Sequence, residues 1–320
     1  MTGTEAESTG RMTVNRASVM LLLVTLLWGA SFTWTRSWHL AAQEIGMGEL
    51  QASLTLIALR MTIALILLGM WQPKVLLEPN RREHLGGLLL GAVFFSGFIL
   101  QTWGLAWTTP ALSGFFTSLN SAWVPLLCFF FLREKVAPLT ALGMAVALAG
   151  CGVLVDGWKL GLGEWLTVAG SFSFGVQILV LDHLGKHLKP AHLSAAFLAA
   201  TGLLGLLGGI VCSLVDPGFS TWLGMTREML AMPGVMRDLF LLALLPTVFA
   251  FHWMNTYQPL VPPSRAALIY LLEPVWSSLF SIWWGYDTLT GALILGGILI
   301  IGGNLLVELP RLIPLWRRGQ

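Results

Sequence analysis

Two ionisable side chains lie deep in apolar runs of this sequence, and the chemistry open to the chain turns on them. Arg60 stands midway along Leu50–Trp71, and Glu273 stands in Ser264–Trp284, followed by Pro274. An arginine at the centre of a membrane helix costs about 2.5–3.5 kcal/mol on insertion scales, so Arg60 must face protein or water. One reading makes it a cation lining a cavity, able to meet an anionic group. The other makes it an ion pair or a contact to backbone carbonyls that serves the fold. Glu273 divides the same way: a proton-titrating or cation-binding carboxylate near the midplane, or a hydrogen-bonded group beside a kink at Pro274. Together the two charges would suit a zwitterion.

Neutral polar residues form a second tier of cavity candidates. They are Ser31, Gln101, Asn120, Ser171 and Gln177, with His252 and Asn255 on one later segment. The same residue types are also ordinary interhelical glue, worth about 0.6 kcal/mol each. Three prolines, Pro125, Pro246 and Pro274, each remove a backbone donor and free a carbonyl four residues back, at Ser121, Leu242 and Tyr270. Kinks are expected there, and bent helices at membrane depth are tolerated where they line a cavity. The sequence holds no nucleophile elbow, phosphate loop or ATPase motif, so no catalytic residue and no cofactor are expected. Cys128, Cys151 and Cys212 lie in apolar runs and read as small buried hydrophobes. His183, His187 and His192 share a basic loop with Lys186 and Lys189 and read as solvated, so no metal is expected either.

These residues must be positioned by a membrane scaffold. Of 320 residues, 56% are hydrophobic and 11% charged, with a mean hydropathy of +0.76; a soluble domain carries about 25% charged residues. A net charge of +2 gives no signal for nucleic acid. Taking about 20 apolar residues per crossing, ten spans are expected: 17–37, 50–71, 85–106, 109–132, 137–155, 162–182, 191–215, 237–259, 264–284 and 289–309. Residues 1–16 are expected to be disordered and cytoplasmic, and 310–320 to form a basic cytoplasmic tail. With the N-terminus inside, thirteen of the 18 Lys and Arg fall in cytoplasmic segments and four outside, Arg36, Lys159, Arg227 and Arg237. The positive-inside rule therefore places both termini in the cytoplasm. In the outer loop between spans 7 and 8, Phe219, Trp222, Leu223, Met229 and Leu230 keep helical spacing, which predicts a short helix on the outer surface.

The scaffold is duplicated. At an offset of 153 residues, the separation of Glu134 and Asp287, Gly143 falls on Gly296, Gly150 on Gly303 and Asn120 on Glu273. The two copies, 17–155 and 162–309, each hold five spans. Five is odd, so the second copy enters the membrane from the opposite side, a recurring plan of secondary transporters. The fold expected is all-α integral membrane, ten transmembrane helices in two inverted five-helix repeats. Glycines of spans 5 and 10 (Gly143, Gly150, Gly152, Gly296, Gly297, Gly302, Gly303) predict close helix contact, within the chain or across a dimer.

Several stretches together resemble one family. They are Trp28-Gly29-Ala30-Ser31-Phe32, Arg60, Gln101-Thr102-Trp103-Gly104-Leu105 and Ser113 to Leu119 with Pro125. Leu132-Arg133-Glu134-Lys135 and Ala266 to Pro274, which includes Tyr270, complete the set. The chain resembles a ten-helix member of the drug/metabolite transporter superfamily, of the EamA type, from about Ala17 to Leu309. It departs from the pattern in Gly285-Tyr286-Asp287, where a glutamate is usual, and in having no arginine in span 7 to mirror Arg60.

The resemblance implies a secondary transporter of a small metabolite, an amino acid or related compound, working in the export direction by alternating access. The partners implied are that solute and the lipid bilayer, with the chain a monomer or homodimer. The location implied is the plasma membrane, which in a bacterium is the inner membrane. Two other classes stay open: a membrane enzyme acting on a lipid-linked substrate, and a transport-inactive scaffold.

Overall fold

The computed structural model describes residues 3–74, 81–133, 135–155, 159–185, 190–216, 218–261 and 269–312. Glu134, His187, Arg265 and most of the C-terminal tail lie outside the described residues, as do the side chains of His183, His192 and Asn255. Every regular element among the described residues is helical. Among the described residues, eight helices are long and apolar enough to cross a membrane. Span 5, Pro138–Leu154, is a shorter apolar helix, and span 9 is described from Ile269 onward.

The first helix runs unbroken from Gly3 to Glu44, so the polar lead expected to be disordered continues it. That stretch contains no proline, and nothing in it stops the helix that the apolar run sustains. Spans 2 and 3 are Glu49–Trp71 and Arg81–Gly104, and spans 6 and 7 are Leu162–Gly185 and Pro190–Val215.

Three spans are interrupted, two of them at or beside a predicted proline and one away from it. Span 4 is two helices, Pro110–Thr117 and Asn120–Leu132, broken at Ser118–Leu119 while Pro125 lies inside the second piece. The break is held by short i→i+3 bonds, such as Ser121 N–H to the Ser118 carbonyl at 3.3 Å. The Asn304 amide of span 10 also donates to the Ser118 carbonyl, at 3.1 Å. Span 9 breaks at the matching place, Leu271–Leu272, and restarts as Glu273–Trp283 with Pro274 in its first turn. A proline there gives up a donor that has no intrahelical partner anyway, so it begins the helix rather than bending it. Asn120 and Glu273 are therefore the first residues of matched half-helices. Span 8 is a third case: Val235–Ala243 and Ala250–Tyr257 flank a π-helical segment, Leu244–Phe249, that contains Pro246.

Spans 5 and 10 pack together through the glycines. A Cβ on Gly143 would come within 2.6 Å of the Gly303 carbonyl oxygen, and one on Gly150 within 2.8 Å of that of Gly296. Because Gly143 maps to Gly296 and Gly150 to Gly303, exchanging the repeats turns one contact into the other. Such crossed pairing requires the two helices to be antiparallel, so the repeats are inverted. The sides of Gly143, Gly150, Gly296 and Gly303 are covered within the chain, whereas a Cβ on Gly302 would meet nothing within 4 Å.

A second matched pair joins the copies. Trp276 of span 9 donates its indole N–H to Thr25 of span 1 at 3.2 Å, and Trp123 of span 4 donates to Ser171 of span 6 at 2.9 Å. The hydroxyls of Thr25 and Ser171 donate in turn to the carbonyls three residues back, Leu22 and Val168. Gly29 and Gly175 lie under the same two tryptophans, where an added Cβ would stand 2.5 and 2.9 Å from the tryptophan Cβ. Each repeat thus docks its first span on the other repeat's broken fourth.

Candidate functional site

The π segment of span 8 gathers residues that are far apart in sequence. Pro246 has no N–H, which leaves the Leu242 carbonyl without its ordinary partner. The Thr247 hydroxyl donates to that carbonyl at 2.8 Å. The Ala250 N–H reaches the Leu245 carbonyl five residues back, which is the π pattern. Arg60 of span 2 donates its Nε–H to the Thr247 hydroxyl at 2.8 Å. Its guanidinium carbon lies 5.0 Å from the Phe98 ring centroid, and the residue is 4% exposed. Trp28 of span 1 donates its indole N–H to the Pro246 carbonyl at 3.2 Å. The Trp28 ring also meets Phe251 and Tyr270, with centroids 5.9 and 5.8 Å away.

Beside this segment lies a cavity of about 300 Å³ between spans 2, 3, 6, 7 and 8. Its polar lining includes Gln72, Gln177, Thr247, His252 and Thr256, and its apolar lining includes Phe197 and Phe251. The Gln72 amide nitrogen lies 3.4 Å from His252 Nδ1, and the His252 ring packs on Trp71 with centroids 4.5 Å apart. The lining belongs to the ends of spans 2, 6 and 8 and the starts of spans 3 and 7, which is the side on which span 1 begins.

The opposite side carries polar contacts and a second cavity of about 290 Å³, whose lining includes Ser37, Glu44, Arg237 and Asp238. The Arg36 guanidinium donates to the carbonyls of Leu105 and Ala106 at 3.0 and 2.6 Å. Asp238 accepts from Ser37 at 3.1 Å and pairs with Arg237 at 2.8 Å. Glu164 accepts from the Thr108 hydroxyl and the Gly161 N–H. Asp287 accepts from the Ser281 hydroxyl and from the Ala111 N–H, at the start of span 4. The helix expected between spans 7 and 8 from its spacing is present as Phe219–Ala231. Its apolar stripe divides: Trp222 and Met229 are buried, while Phe219 and Leu223 are exposed. Trp222 reaches between spans and donates to the Thr55 hydroxyl at 2.8 Å.

The candidate residues therefore separate into groups. Gln177 and His252 line the cavity. Trp28, Arg60 and Pro246 converge on the π segment, whose Thr247 reaches the cavity wall. Ser171 receives the Trp123 indole, Ser31 donates to the Trp28 carbonyl at 2.7 Å, and Gln101 donates to Thr117 at 2.7 Å. These last three act as ties between or within helices. Tyr270 donates to the Gln258 side chain at 2.9 Å. Asn120 and Glu273 are half-buried at the two helix breaks. Arg60 and Glu273 form no ion pair with each other, and neither is among the residues lining this cavity. Gln72, Thr247 and Thr256 escaped the sequence reading. For Thr247 a signal existed: a hydroxyl next to the proline that frees the Leu242 carbonyl.

Comparison with known proteins places this geometry. A curated relative from Archaeoglobus fulgidus, described as an uncharacterized transporter, is 24% identical over 196 residues. That match covers 61% of this chain and 59% of the relative's length. A protein of known crystal structure shares the fold with a TM-score of 0.61 at 21% identity, over 96% of this chain and 99% of that one. The family model of EamA-like transporters matches residues 15–155 and again residues 161–309, one match for each repeat. Matched along both halves, this multi-pass membrane protein belongs to the EamA-like transporter family.

Proposed function

We propose that the chain is a secondary transporter that exports a small metabolite by alternating access between its inverted repeats. The observation that carries this reading is the half-open shape of the polar core. A cavity large enough for a small solute lies on one side, its lining including Gln72 and Thr256, while the other side is tied across by Arg36, Asp238, Asp287 and Trp222 and holds a second, more polar cavity at Ser37 and Asp238. With the positive-inside orientation, the cavity faces the cytoplasm and the closure faces out, across the plasma membrane. Amino acids and related compounds head the candidate solutes. Their charges have no ready-made partners among the described lining residues, so uncharged amides belong in the same screen.

Glu273, half-buried at the break of span 9 and free of ion pairs among the described residues, is the group best placed to carry a coupling proton. Purified protein in liposomes preloaded with labelled amino acids and amides is expected to show counterflow of one of them. Glu273→Gln is expected to remove the pH dependence of that flux. Absence of counterflow for every solute screened would count against transport, whereas an unchanged pH profile in Glu273→Gln would count against proton coupling alone.

A further inference from the structure

Span 8 has a device that its counterpart lacks. Span 3, in the same place in the first repeat, is a continuous α-helix from Arg81 to Gly104 and contains no proline. In span 8 the π winding is held from outside by two side chains of the first repeat. Arg60 holds the Thr247 hydroxyl, which holds Leu242, and Trp28 holds the Pro246 carbonyl. Thr247 is fully buried. Among the described residues Arg60 has no carboxylate partner, and it does not line the cavity. Its one directed hydrogen bond among the described residues goes to the π segment.

A π turn is an α-helix with one residue inserted. Passing from π to α winding would rotate everything beyond Phe249 by about 100°, one residue's share of a 3.6-residue turn. Phe251 and His252 share the cavity wall with Thr247. The rotation would carry both off that wall and part His252 from Gln72.

We propose that Arg60 is a positioning residue of the transport cycle: through Thr247 it holds the π winding that forms the cavity wall, and release of that hold lets span 8 rewind. The idea rests on the alternating-access reading for its purpose, but its geometry can be tested without a substrate.

The probe is a cysteine pair, Gln72→Cys with His252→Cys, in a chain whose three native cysteines are replaced by alanine. A short thiol cross-linker is applied to the full-length protein in nanodiscs. The pair is expected to cross-link in this background. Thr247→Val, which keeps the shape and removes the hydroxyl, is expected to cut the ratio of cross-linked to free protein by about fivefold, the weight of one ordinary hydrogen bond. Amide exchange across residues 242–250 should rise in parallel. Arg60→Gln should do the same, the double variant no more than either single one, and Thr247→Ser should restore the background values. A Thr247→Val protein that stays monodisperse with unchanged cross-linking and exchange overturns the proposal, as does strict additivity of the two variants. Passing these tests while liposomes show no counterflow would sink the transport reading and leave the clamp standing.

Discussion

The meeting of spans 1 and 9 and the meeting of spans 6 and 4 are nearly the same object. Each has an indole N–H on a hydroxyl, that hydroxyl bonded to the carbonyl three residues back, and a glycine beneath the tryptophan. Spans 3 and 8 are unlike: one is a plain α-helix, the other carries a π segment bound to Arg60 and Trp28. The contrast teaches where symmetry is held. It is kept where the two copies lock together and given up along the cavity wall. A transporter built from two equal halves needs interchangeable joints, but its substrate sees a single lining.

The comparison can be broken hardest at the glycine seam. Gly303→Leu would place a Cβ 2.4 Å from the Ala147 backbone nitrogen and should cost about 3 kcal/mol or more, read as loss of folded protein in a detergent melt. The neighbouring Gly302→Leu, whose Cβ meets nothing within 4 Å, should melt as the unaltered protein does.

Next come the matched glycines. Gly29→Val and Gly175→Val should each destabilise by about 1–3 kcal/mol. Gly29 should be the worse, because the Ser277 backbone nitrogen also lies within 2.8 Å of the added atom. A silent Gly175→Val would show that the two joints are not mechanically equal.

Asn304→Ala removes the amide that serves the break in span 4 and should cost about 1 kcal/mol. The position matched to Asn304 by the repeat offset is Cys151, which carries no amide. Cys151→Ala should therefore shift the melt less, and the reverse ranking would break the assignment.

The finest test is the pair Trp123→Phe and Trp276→Phe. Each loses one interhelical hydrogen bond worth about 0.6 kcal/mol. Equal small shifts are expected in urea or thermal titration, and a twofold disparity would argue against equivalent joints.

The ten spans, their duplication and the glycine contacts could be read from the chain because length, charge placement and spacing encode them locally. Which polar side chains face the cavity could not. In lipid the outside of a helix is as apolar as its interior contacts, so periodicity does not separate the two. Ser171 and Gln177 stand six residues apart in one span; one ties down Trp123 and the other lines the cavity. Only the placement of spans 4, 7 and 8 distinguishes them. The break in span 4 is hidden from the sequence for a related reason. A proline announces a missing donor, but the interruption at Ser118 is held by Asn304, 186 residues away, and no local rule reports that bond. At Pro246 the local rule did work: the carbonyl it frees, Leu242, is the one that Thr247 serves.

The bond from Arg60 to Thr247 also sets an order of events in biosynthesis. The two residues are 187 positions apart, so the second span enters the membrane long before its partner has been made. During that interval the arginine holds its insertion cost of about 2.5–3.5 kcal/mol with only Phe98 of the next span arriving early. Until the eighth span is made, the first repeat carries Arg60 without the hydroxyl that it meets in the folded chain.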